Sequence, residues 1–256
     1  MKQIFILAQK SLRKSLRNKI FIVFFLFAVM IVFLSILFSL LTFTAEVKII
    51  KDVGLAGISI FSSLIAIFLS GEAVVGEVEK KTIYILLSKP ADRAGFIVGS
   101  WLGIILTAGV AILINGAVLV FLIYLRQNFV EPRIFLAISF MELEIIIITS
   151  IGILFSSFSS SALTGTLLCL FVYLLGHLNP QLYLLTKLVD RRIIKGFISL
   201  ICWILPNLEY FNLREKVVKG YPLPDVIYIG RLLLYTFFYS AICLVIAHLL
   251  FQRKEL

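Results

Sequence analysis

Glu142 and Glu144 stand out chemically from their surroundings: both carboxyl groups sit in an apolar run, and no further Lys, Arg, Asp or Glu follows until Lys187. Ionised at the centre of a membrane helix, each would cost roughly 2.5–3.5 kcal/mol. Something must offset that: the polar lining of a substrate path, a dimer interface, or protonation or pairing with another helix near the outer boundary. An interface role suits them better than direct contact with a substrate. Their i, i+2 spacing turns them about 200° apart on a helix, which argues against a two-carboxylate catalytic site. Asn115 joins them as a candidate pathway or interface residue. It and the Ser/Thr residues near 156–166 more often hold helices together than bind cargo.

The remaining reactive side chains are dispersed. His177, beside Asn179-Pro180, and His248 have no cysteine or carboxylate at ligand spacing, while Cys169, Cys202 and Cys243 are isolated in apolar segments. No metal site is expected from such a pattern. There is no HExxH, GxSxG or acidic metal-binding repeat of the kind an intramembrane enzyme needs. Without GxxxxGK[ST] the chain also lacks a cradle for nucleotide phosphates. Neither catalysis by this chain alone nor a cofactor bound to it is expected.

The elements that carry these residues follow from composition. A chain of 256 residues that is 61% hydrophobic and 15% charged lies outside the range of soluble domains and reads as a polytopic membrane protein. Its net charge of +10 does not indicate nucleic acid, because the cations sit in loops between apolar runs. Residues 20–42 carry no charge and reach about 34 Å as a helix, enough for a hydrocarbon core of roughly 30 Å; this run is too long for a signal-peptide core. Further spans are expected at 53–71, 94–125, 134–155, 162–178 and 226–250, with SSFSSS at 156–161 breaking the long uncharged stretch. The fold is therefore all-α, with six transmembrane helices in one domain over 1–256.

The loops have their own patterns. In 1–19, Lys10, Arg13, Lys14 and Arg17 lie off the face formed by Ile4, Ala8, Ser11 and Leu12, as in an amphipathic helix on anionic lipid. Such a helix either anchors the chain or also touches a cytoplasmic partner. In 72–93, EVEKKTIYILLSKP keeps helical period up to Pro90: Glu77, Lys80, Lys81, Tyr84 and Ser88 form a polar stripe opposite Val75, Val78, Thr82 and Ile85. Segment 179–225 holds cations at helical spacing and a short apolar stretch, 196–205, that suits a re-entrant or interfacial helix. Twelve Lys and Arg fall before the first span, between spans two and three, and in the tail, which places both termini in the cytoplasm.

With Gly71-Glu72 before it and SKPADRAGFIVGSWLG after it, the 77–90 string resembles the loop between the first two core helices of ABC-2 type permeases. LRNK at 16–19, LFSSFSSS at 154–161 and LPNLEYFNLREKVVKG at 205–220 extend the resemblance over nearly the whole chain. The nearest subgroup resembles permeases for multi-copper enzyme maturation, related to the nitrous oxide reductase accessory permease. One departure is Gly99-Ser100, where many relatives carry a lysine after the glycine. The resemblance implies a type V exporter-like permease in the plasma membrane, whose 72–93 loop is a coupling helix. Through Glu77, Lys80, Lys81, Tyr84 and Ser88 this helix would touch a separate ATPase subunit, which binds the ATP and Mg. Two permeases, expected as a homodimer, would join two ATPases to move a hydrophobic or amphipathic substrate or to assist maturation of an extracytoplasmic protein. The alternative is a secondary transporter or channel independent of ATP.

Overall fold

The computed structural model describes the backbone of residues 2–40, 46–79, 93–188 and 192–253, with side chains from Phe5 onward except at 185–194, 197, 201 and 253. Among these residues every regular element is helical: α1 Lys2–Leu16, α2 Lys19–Leu40, α3 Glu46–Glu72, α4 Val75–Glu79, α5 Arg93–Gln127, α6 Arg133–Phe158, α7 Ala162–His177, α8 Asn179–Leu188, α9 Arg192–Ile204, a 3-10 turn Leu208–Phe211, α10 Arg214–Lys219 and α11 Val226–Arg253.

Five helices, α2, α3, α5, α6 and α11, are long and apolar enough to cross a membrane. The sixth expected span, 162–178, is α7, whose 16 residues rise only about 24 Å against a hydrocarbon core of roughly 30 Å. In the apolar windows of α6 and α3, 67% and 61% of residues are buried, whereas α2 and α11 bury 22% and 28%. α3 and α6 therefore form the inner pair, and α2 and α11 turn large apolar side chains such as Phe33 and Phe237 outward.

α3 starts at Glu46, well before the uncharged run at 53–71, because its charges find partners. Lys51 is 5% exposed with Nζ 2.5 Å from Glu131 Oε1, Glu46 lies 3.6 Å from Arg126, and Asp52 Oδ1 lies 3.0 Å from Arg214 Nε. Paired charges let a helix continue where a charge count alone would end the span. The expected break at SSFSSS is present: α6 ends at Phe158, and Ser161 caps α7 by accepting from the Thr164 N–H, with Thr164 reciprocating.

One end of the bundle carries α1 and the last turn of α11. There α1 lies along the start of α5, and Arg93 Nη1 donates to the carbonyls of Phe251 and Gln252, each at 3.1 Å, satisfying the last turn of α11. The opposite end holds the start of α3, the 128–132 turn and the 179–225 segment. In that segment α8 and α9 pack on each other, while the 3-10 turn and α10 fold back onto α3, α6 and α7.

Candidate functional site

At the end that carries α1, small residues set its packing. A Cβ at Gly103 would stand 2.9 Å from the Ala8 carbonyl oxygen, so only glycine permits this approach. Ser11 Oγ donates to the Ser100 carbonyl at 3.4 Å. The departing dipeptide Gly99-Ser100 thus belongs to the seat of α1. Lys14 pairs with Glu77, while Lys10, Arg13 and Arg17 are exposed. α1 is consequently docked on the bundle through Ala8, Ser11 and Ser15, with Lys10 and Arg13 turned outward and Arg17 exposed just beyond its end.

The start of the 72–93 segment is tied down at two further points. Ser156 Oγ, fully buried, accepts from the N–H groups of Val74 and Val75 at 3.0 and 3.1 Å. Glu79 Oε1 accepts from the Ala162 N–H at 3.3 Å, placing a carboxylate at the positive start of α7. α4 is thereby connected to α1, α6 and α7 at once. Of the expected polar stripe, Glu77 lies on α4; Lys80, Lys81, Tyr84 and Ser88 lie outside the described residues.

The two membrane glutamates face different neighbours. Glu142 rests against α5, where a Cβ on Gly109 would sit 3.0 Å from its Oε1, and it has no hydrogen-bond partner among the described residues. Glu144 is 3% exposed and turns to α7, where its Oε1 lies 3.1 Å from His177 Nε2. His177 Nδ1 lies 3.5 Å from Glu209 Oε2 in the 3-10 turn, and Glu209 Oε1 accepts from Asn212 Nδ2 at 2.8 Å. Asn115, 1% exposed, donates from Nδ2 to its own helix at the Ala111 carbonyl, 2.9 Å away, apart from both glutamates.

His177 is thus the partner Glu144 requires, and neither it nor Glu209 was singled out by sequence spacing, since 33 and 32 residues separate the pairs. A signal existed: the run from Ile145 to Thr186 holds no Lys, Arg, Asp or Glu, and His177 is the one group within it that can carry a positive charge to complement a buried carboxylate. Around this cluster lies a cavity of about 400 Å³, bounded by Ser59 of α3, Glu144 of α6, Tyr173 and His177 of α7, and a roof that includes Phe211 and Arg214. The Arg214–Asp52 and His177–Glu209 contacts fasten that roof to α3 and α7. Among the described residues no group of three His, Cys, Asp or Glu side chains is placed to hold a metal ion.

A family model described as ABC-2 family transporter protein matches residues 5–256. No curated protein matches the chain.

Proposed function

The chain belongs to the ABC-2 family of transporter proteins, multi-pass membrane components of ABC transporters, and on that premise we propose that it is the permease whose 72–93 segment receives the stroke of a separate ATP-hydrolysing subunit. The observation that supports this most directly is the three-way attachment of α4. Lys14–Glu77, Ser156 with Val74 and Val75, and Glu79 with Ala162 join the head of the segment to α1, α6 and α7. A push on the segment would be delivered to three helices together, and from there to the Glu144–His177 cluster on α6 and α7.

In this reading Glu77, Lys80, Lys81, Tyr84 and Ser88 contact the ATPase, which supplies ATP and Mg. Two copies of the permease join two ATPases in the plasma membrane, with both termini cytoplasmic and Lys10, Arg13 and Arg17 at the lipid headgroups. Glu142, which has no hydrogen-bond partner among the described residues, serves the path or the interface. The cargo is a hydrophobic or amphipathic molecule bound for export, or the complex assists maturation of an extracytoplasmic protein, as the resemblance to the multi-copper enzyme subgroup suggests.

The test is co-expression with the ATP-binding subunits of the same genome, followed by purification of the chain in mild detergent. An ATPase should copurify, and charge reversal by Glu77→Lys with Lys81→Glu should release it. A chain that retains no ATPase, yet drives uptake on an ion gradient in proteoliposomes, would overturn the proposal. Glu142 and the buried Glu144, paired with half-buried His177, are the features that favour such an ion-coupled reading.

A further inference from the structure

His177 stands between two carboxylates brought by different elements. Its Nε2 lies 3.1 Å from Glu144 Oε1 on α6, and its Nδ1 lies 3.5 Å from Glu209 Oε2 in the 208–211 turn. Ionised carboxylates only accept hydrogen bonds and a neutral imidazole has one N–H to give, so the doubly protonated ring alone serves both. The other charges around it are matched: Arg214 of α10 lies 3.0 Å from Asp52 of α3, and Lys51 pairs with Glu131. The remaining titratable neighbours are phenols. Tyr173 on α7 itself stands edge-on with its ring 4.8 Å from the imidazole, while Tyr210 in the turn and Tyr183 on α8 are more than half exposed. Among the described residues, a proton on His177 is therefore the charge that offsets the two carboxylates.

The two partners differ in what they lose without it. Glu144 is 3% exposed, and a buried carboxylate stripped of its donor is costly. The Glu209 side chain is 40% exposed, open to water, and keeps the Asn212 Nδ2 donor at 2.8 Å. With a single N–H left, the ring gives it to Glu144 through Nε2. Nδ1 then presents a lone pair to Glu209, and the polar tie between the turn and α7 becomes repulsive. Other ties do not depend on this proton: Arg214 to Asp52, the Asn207 N–H to the Tyr235 hydroxyl at 3.1 Å, and the Tyr228 hydroxyl to the Tyr210 carbonyl at 3.0 Å. They hold the roof to α3 and α11, so it loosens along α7.

We propose that His177 is a proton-binding site that latches the 208–214 roof to α7: doubly protonated it holds Glu144 and Glu209 together, and on losing one proton it keeps Glu144 and releases Glu209. Binding and movement are reciprocal. Separation of the roof from α7 therefore expels a proton, and alkaline conditions favour the separated form while acid favours the latched one. The latch needs neither an ATPase nor a proton gradient.

The experiment uses the full chain in lipid nanodiscs, with heavy nitrogen in its two histidines; His248→Gln assigns the His177 signals. At about pH 7.5, one unit above the ordinary histidine midpoint, both ring nitrogens of His177 should resonate as protonated. Glu209→Gln, which keeps an acceptor without its charge, should lower the proton affinity of the ring about tenfold. Nitroxide labels at Tyr210→Cys and Phe171→Cys, in a Cys202→Ser background, read the separation of the roof from α7. That distance should lengthen as pH rises, with the midpoint of the ring titration, and in Glu209→Leu it should no longer follow pH. A singly protonated ring at the first pH, or a distance that ignores the ring's titration, would overturn the proposal, and both readings are made with Glu144, His177 and Glu209 in place, so they hold even if a Glu209 variant does not fold. Because no ATPase is present, failure here leaves the permease reading intact, and loss of ATPase copurification leaves this titration standing.

Discussion

Removing His177 should be more damaging than removing it together with Glu144. In the native chain the Glu144 carboxylate is 3% exposed and the imidazole is its side-chain hydrogen-bond partner among the described residues, 3.1 Å away. His177→Leu leaves that carboxylate stranded, and stripping one partner from a buried pair costs about 3–5 kcal/mol. For a chain of this size, each kcal/mol shifts Tm by about 2–4 °C, so the single variant should melt about 6–20 °C lower. The double variant Glu144→Leu with His177→Leu removes both polar groups and packs apolar volume in their place. Such exchanges are neutral or stabilising by about 1–4 kcal/mol, so the double variant should recover most of the loss. Thermal unfolding of the chain in nanodiscs, followed by intrinsic fluorescence, reads both. If the double variant melts as low as the single one, the pair is not the reason the carboxylate is tolerated, and the reasoning fails.

Three further outcomes test other contacts. Gly71→Ala would set a Cβ 2.7 Å from the Thr166 Cα, parting α3 from α7 at a cost of about 1–3 kcal/mol; Gly196→Ala, which meets open space within α9, should instead raise Tm slightly, and equal effects from the two would contradict the packing described. Ser156→Ala strips the acceptor from the Val74 and Val75 N–H groups, at about 1–3 kcal/mol for each group left unsatisfied; in the assembled transporter, ATP hydrolysis should persist while transport per ATP falls, and unchanged coupling would remove Ser156 from the transmission path. With Cys202→Ser as background, Arg13→Cys and Lys219→Cys should react with an impermeant maleimide from opposite faces of sealed vesicles, and labelling from one face would refute the placement of the two ends.

Much of the helical plan was legible because membrane spans are written locally: a run without charge needs no partner elsewhere to be recognised. The break at SSFSSS was equally local, since Ser161 and Thr164 form their reciprocal cap within four residues. The start of α3 at Glu46 was not legible, because Lys51, Asp52 and Glu46 are tolerated only through Glu131, Arg214 and Arg126, which come from other parts of the chain. The opposed directions of Glu142 and Glu144 followed from helical geometry alone. What each meets did not: Gly109 and His177 become neighbours only after the bundle closes. The cavity was hidden for the same reason, its walls coming from α3, α6, α7 and the folded-back 208–214 segment.

The shortness of α7 bears on the lipid as much as on the protein. A helix that rises about 24 Å beside neighbours long enough to cross a core of roughly 30 Å leaves a mismatch of about 6 Å along one flank. Acyl chains meeting that flank must compress, or the headgroups must dip toward the ends of α7. Bilayer elasticity would then act on the same flank where the exposed Leu174 borders the cavity, making the acyl length of the host membrane a variable that tunes how readily that cavity is reached.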